Sequence, residues 1–509
     1  MKNNLLSWID RISPLVLACA LTCVYLATLA PGLTWANNGA DGGDLIAAAA
    51  TGGVAHPTGY PVYLILARLF QRIPIGSLAY RTNLLSALAM VCASLVVYAL
   101  VKRYLDSQKG LHSSMPALIS GFAFGLSSLA WSQAVITEVY ALNAFFVAAV
   151  IYLSVYRILN MRRGYEDAVL GLMLGLGLGV HATIIFLIPI ALLVRSISLS
   201  SDVDAKKTFW KGWQLDWKSA FWTLLWIMIG LIPYLLLPVW ASSHPPIDWG
   251  DPVTWGREWW LVSGQLYRGY LFSASIADVW IRLQLWAGFV TGQFGLLGLC
   301  IGLLGLTIFF LPSRLFALTI WGTLVYSLFA INYNTEDWYI YLISVFLCFA
   351  IWIGVGMHGL MNLALRSRRW PGWVVGIAVL FYLFALAAYH WPQVDASNDL
   401  RAETFGREVL TKAPENAFVF VQGDQAIFAM WYFRFALHER ADLVVVAPDL
   451  LSFAWYQDVI RSTYPQLSLP KYFPWPIVLE VTNPSRPFCY VQSSGQTEIS
   501  CFSQKSFAQ

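Results

Sequence analysis

The sequence predicts an α-helical polytopic membrane protein of about eleven transmembrane helices with a small α/β extracytoplasmic domain at its C-terminal end. Three observations carry this. Of 509 residues, 58% are hydrophobic and only 12% charged, where a soluble domain carries roughly 25% charge. Apolar runs near bilayer length recur through residues 1–391. Residues 392–509 lose that character and alternate β-branched runs with helix-like stretches.

In chain order the expected spans are 14–30, 83–101, 116–132, 139–156, a pair of short helices within 168–194 meeting near His181, then 220–240, 295–311, 315–331, 340–363 and 372–390. The first run lacks a small-residue cleavage site and reads as a span rather than a removed signal. Lysine and arginine collect at 102–114, 157–167, 195–219 and 366–371, so these loops are expected in the cytoplasm, with the N-terminus inside. The alternate loops carry Asp41, Asp44, Glu138, Asp248, Asp251, Glu258, Asp278, Glu336 and Asp337 and are expected outside. The expected location is the plasma (inner) membrane. The net charge of +4 follows from this topology and gives no reason to invoke nucleic acid.

The tail reads as a water-soluble unit with strands at Ala417–Gln422 and Leu443–Ala447, each followed by a helix (Gln425–Leu437, Leu450–Ser462), and further strand candidates at Pro476–Val481 and Phe488–Gln492. Parallel strands are the expectation, and nothing in the tail reads as catalytic. Cys489 and Cys501 fall there, bonded or free; the remaining cysteines lie in spans as packing residues. Tryptophans crowd 210–260, first of all as an interfacial belt, with some left to face a sugar or prenyl chain.

The chemistry-bearing residues gather in the outer loops. Asp41 and Asp44 open a short helix, Leu45–Ala50, ended by Gly52-Gly53. They read as N-cap and N3 acid of a capping box, and a capped carboxylate stays ionised, as a general base must. His56-Pro57-Thr58-Gly59-Tyr60-Pro61 is a fixed turn from which His56 and Tyr60 can face a phosphate or sugar oxygen. Val62–Ile73 follows as an amphipathic helix on the membrane surface, with Arg68 and Arg72 suited to a lipid phosphate. Glu138, in a tight connection, is expected to pair with Arg81 or Arg268. His181 follows a glycine run, Gly171 to Gly179, that permits close helix packing. The long loop 242–280 adds Asp251 and Arg268, whose planar fork suits a phosphate, and Asp337 closes a further outer loop. No cysteine–histidine spacing reads as a zinc site.

The chain resembles the integral-membrane protein O-mannosyltransferase-like family (transmembrane protein 260-like) over about residues 25–345. The resemblance is carried by YLATLAPGLTW (25–35), DGGDLIAAA (41–49), GVAHPTGYPVYLILARLF (53–70), YRTNLLSAL (80–88), WSQAVITEVYALNAFF (131–146), HPPIDWGDPVTW (244–255) and NYNTEDWYIYL (332–342). Asp44 stands where the family usually has Glu. The tail matches less clearly and holds no 34-residue repeat. The resemblance implies a GT-C-like transmembrane glycosyltransferase domain over 1–391, and a polyprenyl-phosphate-linked sugar as donor. It also implies a protein or glycan acceptor outside, and a catalytic acid in the first outer loop. Either Asp41 or Asp44 would take the acceptor proton, with Asp41 ahead because Asp44 is the expected cap partner. Arg268, Arg68 or Arg72, together with His56, would face the leaving phosphate. No cofactor or metal is required, although two adjacent carboxylates leave room for a divalent ion. Two other classes fit less well. A transporter or flippase of lipid-linked sugars places polar groups at mid-membrane, not in outer loops; a non-catalytic scaffold would be indifferent to Asp41→Asn and Asp44→Asn.

Overall fold

The computed structural model describes residues 2–107, 113–156, 163–194, 216–309, 314–366, 372–493 and 497–502. Much of the expected cytoplasmic cluster, including Lys109, Arg157, Arg195, Lys206, Lys207, Lys211 and Arg369, lies outside the described residues, as do Trp210 and Trp213.

Among the described residues, 7 helices are long and apolar enough to cross a membrane: Asp10–Thr28, Leu78–Ser107, Trp217–Ala241, Ile276–Ile308, Arg314–Asn332, Trp338–Ala364 and Gly376–Val394. The pair Ser114–Gly125 and Ser128–Ala134, bent by 66°, makes an eighth. The protein is therefore an integral membrane protein, with fewer full-length spans than the apolar runs suggest. The shortfall has a local cause: Tyr140–Tyr156 has only 17 residues, and the run 168–194 is broken. Its halves, Arg163–Leu178 and Ala182–Val194, meet at His181 as expected. Gly171 and Gly175 lie against Thr223–Gly230 of the following span, the close approach that the glycine run permits.

The loop after the first span folds as two short helices, Gly42–Thr51 and Pro61–Gln71. The second is not simply laid on lipid. Tyr63, Leu64 and Ala67 are buried, and Gln71 donates to the Ile46 carbonyl of the first helix. The tail forms a four-stranded sheet, β1 (Phe418–Val421), β2 (Val444–Val446), β3 (Phe488–Ser493) and β4 (Thr497–Phe502), in the order β2-β1-β3-β4. The β1 pairings to β2 and β3 are parallel, but β4 returns antiparallel, so the sheet is mixed rather than all parallel. Cys489 and Cys501 face each other across β3 and β4 and are disulfide-bonded. The strand expected at Pro476–Val481 is instead a helix, Pro476–Thr482; proline at a first helical position loses no hydrogen bond there. The expected helices are realised as Asp424–Trp431 and Ala454–Thr463.

Candidate active site

The short helix Gly42–Thr51 starts where the sequence predicts, but not by the expected capping box. Asp41 makes no side-chain cap bond. Asp44 is fully buried, with both oxygens turned away from the helix end. Its Oδ2 accepts the His56 backbone N–H at 3.0 Å and Nδ1–H at 2.7 Å, and its Oδ1 accepts the Trp249 indole N–H at 3.0 Å. Three donors are better partners for a buried carboxylate than one exposed turn of backbone.

His56 is thereby held between two acids. Its Nε2 lies 3.4 Å from Asp41 Oδ2 and 3.1 Å from the Tyr60 hydroxyl. That hydroxyl donates to the Pro57 carbonyl at 3.0 Å, so it accepts from Nε2–H. Both ring nitrogens then donate, which defines an imidazolium. Burial by itself would lower the His56 pKa, but Asp41 and Asp44 outweigh it and raise it to about 9. Asp41 differs from Asp44 in being 34% exposed at the side chain. Burial still pushes its pKa up to about 6, against the pull of His56.

Distant elements complete the setting. Val54 donates to the Ile247 carbonyl, and Trp249 returns a bond to Val54. This two-bond bridge carries Trp249 from the long outer loop onto Asp44. A Cβ on Gly53 would stand 2.0 Å from the Ile247 oxygen. The tail reaches the same place, because helix Asp424–Trp431 packs on Gly42–Thr51 so closely that a Cβ on Gly43 would lie 2.3 Å from the Phe428 oxygen. Phe428 stacks on His56 with ring centres 6.3 Å apart, and Trp455 packs against Trp249 at 5.5 Å. Asp424, at the start of that tail helix, adds its field to His56 and Asp41. The tail, expected to have no part in the chemistry, supplies one wall of the site.

The remaining predicted residues divide. Glu138 is buried, and the backbone amides of Asp41 and Val139 act on its carboxyl group electrostatically. The field of Asp337 reaches both Asp41 and Glu138. Tyr60 belongs to the His56 cluster, and Tyr267 faces Asp41 and Asp44. Arg268, one residue further on the turn Gln265–Tyr270, is exposed. His181 packs against Tyr140 and Tyr341 with ring centres 5.5 and 5.8 Å away. Other expectations are corrected. Arg81 does not pair with Glu138, because its guanidinium donates to the carbonyls of Gln71, Ile75 and Gly76. Arg68 is committed to the Gly53 carbonyl and to the face of Trp240. Arg72 is exposed at the far end of its helix, roughly 15 Å from the His56 turn at 1.5 Å per residue. Asp251 pairs with Arg257, which also binds Asp458 of the tail at 2.8 Å; it clamps two elements together rather than joining the cluster. His56, enclosed by carboxylates, is no free phosphate donor.

Asn143, Tyr140, Tyr341, Trp249 and Phe428 were not among the predicted site residues. Nothing local marks them: Trp249 meets Asp44 across 205 positions. A surface groove of about 650 Å³ between Pro31, Ser77 and helix Arg401–Lys412 contains none of these groups. Among the described residues, no group of three or more His, Cys, Asp or Glu is arranged to hold a metal ion.

Fold and site together describe a polytopic membrane protein with a carboxylate–imidazole–carboxylate cluster on the loop after its first span. The fold is similar to that of ArnT from Cupriavidus metallidurans bound to undecaprenyl phosphate, with a TM-score of 0.61 and 13% identity over 94% of this chain and 93% of that one. Two stretches of the chain are similar to the TMEM260 protein O-mannosyl-transferase family. Residues 41–203 match the protein O-mannosyl-transferase TMEM260 N-terminal domain, and residues 402–475 match TMEM260-associated domain 2. The Dictyostelium discoideum protein O-mannosyl-transferase tmem260 is 24% identical over 91% of this chain and 60% of its own length. The Mus musculus protein O-mannosyl-transferase TMEM260 is 32% identical over 46% of this chain and 31% of its own length. The chain thus spans less than two thirds of the curated relatives it matches.

Proposed function

We propose that the protein is a membrane glycosyltransferase. It moves a sugar, mannose by analogy with its relatives, from a polyprenyl-phosphate donor to a hydroxyl of an extracytoplasmic protein or glycan. The single observation that carries this reading is the paired state of Asp41. It is a partly exposed carboxylate held 3.4 Å from an imidazole that a second, fully buried carboxylate orients. Names of relatives supply the sugar and the acceptor class, and ArnT with its bound lipid supplies the donor class.

In this reading Asp41 is the general base. The acceptor oxygen attacks the anomeric carbon while its proton passes to Asp41. The bond from that carbon to the phosphate oxygen breaks, and its electron pair leaves with the polyprenyl phosphate. One displacement inverts the sugar carbon. Asp44 is a positioning residue: sealed from solvent, it fixes the His56 ring and keeps it cationic, and that cation keeps Asp41 ionised. Arg268, exposed on the turn beside Tyr267, would meet the leaving phosphate. The acidic loops face the extracytoplasmic side.

The test is mass spectrometry of exported glycoproteins and glycolipids from wild-type cells, a deletion strain, and the deletion carrying Asp41→Asn or Asp44→Asn. Loss of one hexose increment on deletion, not restored by a well-expressed Asp41→Asn, supports the reading. Full restoration by both variants sinks it. Lipid translocation in vesicles without sugar transfer would mean a flippase instead.

A further inference from the structure

Beside the Asp41 cluster lies a set of buried polar atoms that neither the fold nor the proton transfer uses. Glu138 is only 3% exposed. Its Oε2 is buried and has no hydrogen-bond partner. Asn143, on the next turn of the helix Tyr140–Tyr156, is also buried, and its Oδ1 is unpartnered; its amide N–H₂ reaches Thr183 Oγ1 at 3.5 Å. His181 accepts the Thr183 backbone N–H on Nδ1 at 3.3 Å, which leaves the ring proton on Nε2 as a free donor. Tyr140 joins these groups, lying against the His181 ring and within the field of Glu138 and Asp41. Unmet buried hydrogen-bonding atoms cost stability and call for an explanation.

Resting on the transferase reading above, we propose that Glu138, Asn143 and His181 form the pocket that recognises the hydroxyls of the donor's uncharged sugar ring. The chemistry is complementary. A sugar hydroxyl both donates and accepts, and the pocket offers an acceptor on Asn143, a donor on His181 and a carboxylic acid on Glu138. Burial, then the fields of Asp41 and Asp337, holds the Glu138 acid far above the usual carboxylate range, so it is a neutral group that donates from Oε2. Tyr140 and Tyr341, with ring centres 5.8 Å apart, add the flat apolar faces that a pyranose ring packs against. The pocket adjoins Asp41, whose charge and backbone amide both act on Glu138; a ring held there presents its anomeric carbon to the base.

The experiment is equilibrium binding of undecaprenyl-phosphate-mannose and of bare undecaprenyl phosphate to the full-length protein in nanodiscs. Wild type, Glu138→Gln, Glu138→Ala and Asn143→Ala are compared. Glutamine keeps a carbonyl acceptor and replaces the acid O–H by an amide N–H. Wild type and Glu138→Gln should prefer the sugar-bearing lipid by about tenfold or more, the order expected of buried hydrogen bonds to a ligand. The alanine variants should lose that preference while binding the bare lipid as wild type does. A preference untouched in both alanine variants overturns the pocket. So does a Glu138→Gln protein as defective as Glu138→Ala, since the group would then act as an anion. An alanine variant that also loses the bare lipid marks Glu138 as structural and overturns its role here, with Asn143→Ala as the independent check. If wild type transfers sugar yet shows no preference, the pocket falls and the transferase reading stands. If wild type binds neither lipid, both fall.

Discussion

At the scale of single residues, Asp41, Asp44 and His56 form one titrating unit, and its pH behaviour follows from who binds protons more tightly. A base must be ionised, so transfer should rise with pH through the Asp41 value of about 6. It should fall again as the His56 cation is lost near 9, giving a bell-shaped kcat/KM profile whose two limbs belong to the coupled pair. Asp41→Asn should lower kcat by roughly 10²–10⁴-fold. Asp44→Asn removes one of the two charges that hold His56 protonated, so its alkaline limb should move toward neutrality; an unmoved limb would separate Asp44 from His56. Stability carries the same sign. His56 is raised in the fold, so its contribution is complete below its unfolded value of 6.5 and is lost as pH climbs through about 9. Asp41 is raised too, and its contribution is complete below 3.8 and lost through about 6. Melting followed between pH 4 and 10 should therefore show stability falling as pH rises, less steeply in His56→Gln.

At the scale of elements, the site depends on contacts so close that only glycine fits. Helix Gly42–Thr51 is pressed between the long outer loop and the tail helix Asp424–Trp431. At Gly43 a methyl group would meet the Phe428 backbone oxygen at 2.3 Å, and backbone cannot swing aside as a side-chain tip can. Gly43→Ala should cost about 1–3 kcal/mol of stability, read by thermal unfolding in detergent. It should also displace Phe428 from His56, lowering transfer while membrane insertion stays normal. The helix itself was legible from Asp41 to the Gly52 stop, which adopts a φ of 72°. Its capping box was not realised, because a pattern of acids at N-cap and N3 cannot show that a histidine and a tryptophan elsewhere compete for Asp44. Pro476–Val481 was misread as a strand for a related reason. Its short apolar run fits either element, and packing decides between them.

At the scale of the whole molecule, spans, outer loops and tail close on one site. Thr34 and the Trp35 backbone both bond Asp399 (2.6 and 3.0 Å), where the last span passes into the tail. Arg257 ties the long loop to Asp458. A tail so joined packs as one body with the membrane helices, which explains why Phe428 and Trp455 reach residues some 200 to 370 positions away. The same packing sets the expected response to metal removal. Both Asp44 oxygens are taken by N–H donors from two separate elements, and Asp41 faces the His56 cation, so the pair presents no open oxygen cage. Chelation with EDTA should leave the transfer rate unchanged; loss of activity restored by a divalent ion would overturn this.

The sequence by itself determined the membrane class, the short helix after Asp41, the fixed His56–Tyr60 turn and the break at His181. Each follows from local hydropathy, charge or turn chemistry, which the chain carries wherever it folds. The different burial of Asp41 and Asp44, the turning of Arg81 away from Glu138, the capture of Asp251 and Arg68 by structural partners and the packing of the tail against the Asp44–His56 cluster were decided only by tertiary structure. Burial and the identity of a carboxylate's partner are properties of packed neighbours, and the neighbour that buries Asp44 lies 205 residues away.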